Sequence, residues 1–421
     1  MNRSSALIAL RHRDFRLLWA GQAVSLLGTQ VQTVALAWLV YSLTGSAAQL
    51  GGIGLARAIP TILLSLFGGT LADRRDRRKL LIISQGVLAA LSAMLAIAVS
   101  AGMSSILLLD TFAVLTAAAS AFEGPASQAF IPQLVPREHL TNALTLNVLS
   151  TDTVAVVGPA VGGIAIGLLG VSAAFWIDAI SFFAVVAALI VMRTRAAAPR
   201  AEGHPMRALL LGLSFVRERG ILWQLMVIDF LATLFISPTG LLPVFAKDVL
   251  SVGPTGLGIL YAAPSAGAVI GAAMMAFAPP PRRPGRWVAI VIAGYAASLA
   301  LFGVSSWIGL ALVLLGLGGG LDAISMAMRH TVRQLATPDE LRGRVGALAD
   351  VFSSGGPRLG EFQAGLVASA IGAPGAMVAG GLACLAMVAS SRFWAPNLWS
   401  YEDTEVTHTI TGTAAEIRND D

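Results

Sequence analysis

Apolar residues are gathered into twelve stretches, each long enough to cross a lipid bilayer as a helix. A spanning helix needs about 20 apolar residues, because each residue adds only about 1.5 Å to its length. In the first half the stretches are Leu17–Leu43, Gln49–Leu71, Leu80–Ala101, Ile106–Pro125, Ala143–Leu169 and Ala173–Met192. In the second half they are Ile221–Phe245, Gly256–Ala278, Trp287–Val304, Ile308–Met328, Val345–Ile371 and Gly375–Phe393. The sequence therefore predicts an all-α membrane protein with twelve transmembrane helices.

The composition excludes an ordinary soluble domain. Hydrophobic residues make up 56% of the chain and charged residues 12%, against about 25% charged residues in soluble domains. The single cysteine, Cys384, cannot form an internal disulfide. The net charge of +5 does not indicate nucleic-acid binding, because the arginines cluster beside the apolar stretches.

The basic residues predict the orientation of the chain in the membrane. All but three of the 28 Lys and Arg residues fall on alternate connections, and the exceptions are Arg57, Arg358 and Lys247. Because positive residues in short loops stay on the cytoplasmic side, both termini are expected there, in a bacterial inner membrane. The first stretch is too long for a cleaved signal peptide and is expected to be retained.

The chain divides near its middle. We expect a six-helix bundle over residues 1–192, a basic cytoplasmic linker over 193–220, a second six-helix bundle over 221–395, and a disordered cytoplasmic tail over 396–421. The halves also resemble each other, since the Gly-Pro pair at Gly158 recurs at Gly356 with an offset of 198 residues. Parallel six-helix repeats of this kind are typical of one large class of secondary transporters.

A charged segment between the second and third stretches resembles a motif of the major facilitator superfamily. Its residues are Gly69, Thr70, Leu71, Ala72, Asp73, Arg74, Arg75, Asp76, Arg77 and Arg78. The family pattern is Gly-x-x-x-Asp-Arg-x-Gly-Arg-Arg, so Asp76 departs from it. The Asp-Arg-Arg-Asp-Arg-Arg form is similar to the branch of enterobactin exporters and drug-efflux proteins, and the resemblance extends over most of the chain.

This resemblance implies a gate built from Gly69, Asp73, Arg74, Arg77 and Arg78. In the family the Asp bonds across the two halves and holds the outward-facing state. The alternative is that the segment only anchors the protein by its positive charge.

The fifth stretch carries a second family motif. Gly158, Pro159, Gly162 and Gly163 resemble the core of the helix-five motif of the family's antiporters. Pro159 lacks an N–H and is expected to kink the helix, while the glycines offer a flat packing surface. A hinge or sealing contact during transport and a plain packing kink both remain open.

Ionisable residues inside the stretches are candidates for coupling, because a charge at the bilayer centre costs about 2.5 to 3.5 kcal/mol on insertion scales. Asp229 and Asp322 have no partner nearby in sequence and are the first candidates for proton binding. Asp110 and Arg57 lie at similar depths, so we expect an ion pair or a proton-sensitive latch between them. For Asp178 a structural role is expected.

Polar groups in the first stretch are candidates for a substrate cavity. Gln22, Gln30 and Thr33 lie near one helical face. With aromatic residues they would form a mainly apolar pocket suited to amphipathic organic molecules. The aromatic residues considered are Trp38, Phe122 and Phe235.

Motifs for enzymes and for nucleotide or metal binding are missing from the sequence. We therefore expect neither an enzyme nor a cofactor, but a monomer whose partners are a small-molecule substrate, protons and membrane lipid. The sequence predicts a proton-coupled exporter of small amphipathic molecules, drug-like or siderophore-like. Alternatives are a transporter of lipid-like or siderophore molecules without proton antiport, and, more remotely, a receptor or membrane enzyme. The substrate is not specified by the sequence.

Overall fold

The structure is a computed structural model that describes residues 7–74, 76–194, 205–278, 281–338 and 341–401, and these residues form helices without any strand. The first-half helices are α1 (Arg13–Thr44), α2 (Ala47–Arg74), α3 (Arg77–Ser100), α4 (Ile106–Ser120), α5 (Glu123–Phe130), α6 (Arg137–Leu169) and α7 (Val171–Val191). The second-half helices are α8 (Pro205–Glu218), α9 (Gly220–Phe235), α10 (Leu242–Val244), α11 (Gly253–Phe277), α12 (Pro284–Gly303), α13 (Ile308–Leu335), α14 (Arg342–Trp394) and α15 (Pro396–Ser400). The predicted all-α fold is confirmed.

Nine helical segments among the described residues are long and apolar enough to cross a membrane. The longest, α14, contains 53 residues, but Gly372 inside it has a φ of 77° and is not helical. Only glycine adopts this left-handed conformation without strain, so α14 consists of two helices joined at Gly372. The chain is therefore a multi-pass membrane protein.

Two predicted stretches are interrupted. The fourth, expected to run from Ile106 to Pro125, ends as α4 at Ser120, and α5 begins at Glu123. The seventh, expected to reach Phe245, ends as α9 at Phe235. Ile236 is extended and Pro238 follows two residues later, and proline disfavours helical backbone in the residue before it. Apolar composition alone does not reveal such breaks.

The described residues pack into two compact units. The first comprises residues 1–205, 238–263 and 361–373, as far as they are described. One of its buried clusters joins Phe15 and Leu18 of α1 to Phe130 of α5 and Leu189 of α7. The short segments from the second half belong to this unit because their glycines pack against first-half helices. A Cβ at Gly365 would lie 3.1 Å from the Cα of Gly51 on α2.

The second unit comprises residues 206–237, 264–360 and 374–421, as far as they are described. Close approach of helices holds it together: a Cβ at Gly271 of α11 would lie 2.9 Å from the Cα of Gly320 on α13. Small residues allow such backbone contact, which gives van der Waals packing where lipid offers no hydrophobic drive.

The chain remains ordered beyond the point at which the tail was expected to begin. Residues Pro396–Ser400 form α15, Leu398 is fully buried, and its N–H donates to Gln224 Oε1 at 3.0 Å. The start of the disordered tail at residue 396 is therefore wrong. Residues 402–421 lie outside the described part of the chain.

Candidate transport site

Two carboxylates share one arginine in the second unit. Arg329 Nη1 lies 2.9 Å from Asp229 Oδ1, and Arg329 Nη2 lies 3.8 Å from Asp322 Oδ1. Ser353 Oγ donates to Asp229 Oδ2 at 3.0 Å. Asp322 and Arg329 are seven residues apart on α13, which is two turns, so both side chains project from one helix face.

The expectation that Asp322 has no partner nearby in sequence is therefore wrong, and the fold pairs Asp229 with the same arginine. Arg329 lies just beyond the predicted stretch Ile308–Met328, and its charge was assigned to the cytoplasmic face. The helix α13 continues to Leu335, so Arg329 still lies within this helix and can reach both acids. The spacing of seven residues between Asp322 and Arg329 was the signal that would have found the contact.

The two carboxylates differ in exposure. The Asp229 side chain is 8% exposed and has two close partners, whereas the Asp322 side chain is 47% exposed and has only the longer contact. Both line a cavity of about 640 Å³. Its other ionisable lining residues are Arg329, His330, Arg333 and Asp350, and its apolar lining includes Leu222, Leu225, Met226, Met326 and Phe352. A mainly apolar space with few fixed charges suits an amphipathic organic molecule.

Arg57 and Asp110 do not form the expected ion pair in the described part of the chain. Asp110 accepts a hydrogen bond from Gln49 Nε2 at 3.1 Å. Arg57 lines a separate cavity, which lies in the first unit and has a volume of about 70 Å³. Thr33, Tyr261 and Glu361 line the same cavity. Gln49 precedes Arg57 by eight residues on α2, which is about two turns, so Asp110 contacts α2 at a different depth from Arg57.

The helix-five motif lies at a close contact between α6 and α11. A Cβ at Gly163 would lie 2.6 Å from the carbonyl oxygen of Pro254 and 2.9 Å from the Cα of Gly258. Larger residues at Gly163 or Gly258 would separate the two helices. The other side of the motif faces α1, where a Cβ at Gly162 would lie 3.0 Å from the Cα of Val31.

The candidate cavity residues of α1 do not share one environment. Thr33 lines the small cavity that contains Arg57, and its hydroxyl donates to the Thr29 carbonyl oxygen. Gln22 Nε2 donates to Ser127 Oγ at 2.5 Å. Gln30 packs against the motif, since a Cβ at Gly158 would lie 2.6 Å from that of Gln30. Their role in substrate binding stays a prediction.

The charged segment that resembles the family gate is described only in part. Gly69, Asp73 and Arg74 belong to α2, but their side chains lie outside the described part of the structure, and so does Arg75. The gate role of these residues stays a prediction.

Described residues of the same segment tie α3 to its neighbours. Arg77 Nη1 donates to the Ala129 carbonyl oxygen at 2.8 Å, and Arg78 Nε donates to that of Leu189 at 2.7 Å. Asp76, which departs from the family pattern, is the N-cap of α3. Its carboxylate accepts from the N–H groups of Arg78 and Lys79, as a capping residue does.

Sequence reasoning missed a polar contact at the end of α1. The Tyr41 hydroxyl donates to Asp248 Oδ2, and the Lys247 ammonium lies 5.4 Å from the centre of the Tyr41 ring. The second contact is a cation–π interaction. Together they fasten α1 to the π-helical turn Phe245–Val249.

Long apolar helices, ionisable side chains inside them and a cavity at those side chains are features of a membrane transporter. The chain belongs to the family described as transmembrane secretion effector, whose model matches residues 4–416. It is 27% identical over 371 residues to the enterobactin exporter of Shigella boydii serotype 18, an alignment that covers 87% of this chain and 88% of that protein. The enterobactin exporter of Escherichia coli O139:H28 is 26% identical with the same coverage.

Solved structures of low sequence identity share the fold. A bacterial homologue of the human lysosomal transporter Spinster, inward-facing and unoccupied, has a TM-score of 0.73 at 14% identity and covers 95% of this chain and 98% of its own. The nucleoside transporter NupG has a TM-score of 0.75 at 11% identity, over 90% of this chain and 98% of its own. The relatives are transporters, so the predictions of a family resemblance and of a transporter rather than an enzyme are confirmed.

Proposed function

We propose that this chain is a proton-coupled exporter that moves small amphipathic organic molecules out of the cytoplasm by alternating access. Its family is described as secretion effectors, and the curated relatives are named as enterobactin exporters. The observation that carries the proton-coupling proposal is Arg329, which is shared by Asp229 and Asp322 on the wall of a large cavity.

The proposed architecture has twelve spans in two six-helix bundles. The nine long apolar segments support it, since α14 provides two spans across Gly372. The helix α2 and the shorter α4 provide the remaining two. The distribution of basic residues favours both termini in the cytoplasm of a bacterial cell, with the protein in the inner membrane.

The unequal geometry of the two acids suggests an order of events. A proton that neutralises the exposed Asp322 removes its attraction for Arg329, and the guanidinium then pairs with Asp229 alone. When the proton leaves, one arginine again faces two carboxylates. A charge change of this kind biases a two-state transporter only if the two states bind the proton differently.

Alternating access also needs contacts that close one end of the pathway. The close approach of Gly163 to Gly258 and the hydrogen bond from Tyr41 to Asp248 support such a role. In the proposed orientation both lie toward the outer side of the membrane. The helix-five motif is then a sealing contact rather than only a kink.

A second candidate is export of a siderophore or lipid-like molecule without proton antiport. The names of the relatives favour a siderophore. The mainly apolar lining of the large cavity is compatible with either kind of molecule.

The protein is proposed to act as a monomer.

Purified protein in proteoliposomes tests the coupling. Addition of a transported substrate should dissipate an imposed pH gradient, and Asp229→Asn and Asp322→Asn should each abolish this response. The matched control is Asp350→Asn, which changes a carboxylate on the same cavity that forms no ion pair among the described residues. Normal proton flux in both Asp229→Asn and Asp322→Asn would contradict the proposed coupling site.

A further inference from the structure

A fully buried carboxyl group lies in the first unit and has no part in the proposed coupling cluster. Asp178 of α7 is 0% exposed. Its Oδ2 accepts hydrogen bonds from Gln32 Nε2 at 2.7 Å and from Ser92 Oγ at 2.6 Å. Its Oδ1 is buried and has no hydrogen-bond partner. The described hydrogen bonds of the group thus reach one oxygen, and Thr29 of α1 lies close to the carboxyl group.

Asp178 ends a ladder of polar side chains between α1 and α3. Gln32 Nε2 donates to Ser92 Oγ at 3.0 Å, and seven residues earlier on both helices Ser25 Oγ donates to Gln85 Oε1 at 3.4 Å. A spacing of seven residues repeats the same helix face after two turns. All four side chains are at most 8% exposed.

A second acid ends the other rung of this ladder. Gln85 Nε2 donates to Glu123 Oε1 at 2.6 Å, at the start of α5. Each of the two rungs therefore ends at a carboxyl group, and both consist of amides and hydroxyls that can donate and accept hydrogen bonds.

No positive charge balances Asp178. Across the part of the chain that the structure describes, the groups facing it are Gln32 and Thr29 of α1, Ser92 of α3 and Ser181 of α7, and the nearest ionisable group is Glu123. None of them carries a positive charge, and Glu123 has the same sign. Burial of an ionised carboxylate without a cation is strongly unfavourable.

The helix backbones pack closely beside Asp178. A Cβ at Gly28 of α1 would lie 2.7 Å from the Ser181 Cβ and 3.0 Å from the Asp178 Cα. The helices α1 and α7 are therefore in backbone contact at this level. This close packing, with no cation among the described neighbours of Asp178, favours the neutral, protonated carboxyl group.

We propose that Asp178 is a second proton-binding site of this protein, occupied at neutral pH in the described conformation. With the proton bound, the ladder holds α1, α3 and α7 together through neutral hydrogen bonds. Loss of the proton would place a bare negative charge between α1 and α7 and weaken their contact. Since α1 also carries Tyr41, this proton would bias the contact between Tyr41 and Asp248. The sequence analysis expected a structural role for Asp178, and the two accounts differ in whether the carboxyl carries a proton.

Infrared difference spectroscopy of the full-length protein in detergent tests the proposal, because a protonated carboxyl group has a C=O stretch that a carboxylate lacks. The wild-type protein should show this band at neutral pH and lose it at alkaline pH. Asp178→Asn should remove it, and the exposed control Asp350→Asn should leave it unchanged. An identical protonated-carboxyl band in wild type and Asp178→Asn, or no such band in wild type, would overturn the proposal.

If Asp178→Asn does not fold, Ser92→Ala provides a second test. This variant removes one donor to the carboxyl group, so the C=O band should move to higher frequency while the thermal unfolding curve stays cooperative. A band at an unchanged frequency would overturn the proposal. Neither experiment involves substrate or transport. Failure of the proposed proton antiport at Asp229 and Asp322 is thus distinguishable from failure of this inference.

Discussion

At the scale of single residues, the account depends on Arg329 more than on any other side chain. One guanidinium serves two carboxylates, and a guanidinium presents several N–H groups in a planar fork that reaches both at once. A lysine at this position would keep the charge but not the fork.

We predict that Arg329→Gln abolishes substrate-driven proton flux and lowers the melting temperature. Loss of one partner of a fully buried pair costs about 3 to 5 kcal/mol, and a smaller loss is expected here because Asp322 is half-exposed. Arg329→Lys should retain part of both properties. Proton flux in proteoliposomes and thermal unfolding in detergent provide the measurements. Wild-type flux in Arg329→Gln would contradict the shared-arginine account.

The departure of Asp76 from the family pattern has a physical reason. The usual glycine is replaced by a residue whose carboxylate caps α3. We predict that Asp76→Ala destabilises the protein by about 1 kcal/mol, and Asp76→Gly by only a few tenths. Chemical unfolding of the two variants side by side would show it. A larger loss for Asp76→Gly than for Asp76→Ala would mean that capping is not the role of Asp76.

At the scale of helices, the lengths of apolar stretches predicted most elements well. The first stretch, expected over Leu17–Leu43, is α1 over Arg13–Thr44. The interruptions after Ser120 and Phe235 were not predicted, because local backbone geometry ends those helices while the composition stays apolar. The relative depth of α2 and α4 was also beyond the sequence, so Asp110 was paired with Arg57 although it contacts Gln49.

The contact between α6 and α11 gives a prediction about the helix-five motif. Gly167 and Thr255 face each other across it, since a Cβ at Gly167 would lie 2.7 Å from Thr255 Oγ1. With Cys384 replaced by Ala, the pair Gly167→Cys and Thr255→Cys should form a disulfide rapidly. Addition of Gly163→Val should separate the helices and reduce cross-linking several-fold, as measured by gel mobility after oxidation.

The control for that experiment is Gly86→Ala on α3, where a Cβ would meet no atom within 4 Å. This variant should cross-link as fast as the parent. Equal cross-linking in the Gly163→Val protein would show that the glycine is not needed for the close approach. In that case the motif would be only a kink at Pro159.

At the scale of the whole molecule, sequence and structure contribute different parts of the account. The apolar stretches and the motifs predicted a membrane transporter of the major facilitator type, which the family match confirms. The coupling candidates Asp229 and Asp322 line one cavity and share Arg329, a partner that was missed, and their role in coupling stays a prediction. Tyr41 and Asp248 are in contact although they lie 207 positions apart, and no local sequence pattern predicts such a contact.

The most direct test of the central claim is uphill transport driven by an imposed pH gradient. Proteoliposomes containing the wild-type protein should accumulate substrate above its external concentration when protons flow in the opposite direction. The double variant Asp229→Asn with Asp322→Asn should at most equilibrate the substrate. Uphill accumulation by the double variant, or its absence in the wild-type protein with a substrate that is transported downhill, would contradict the account.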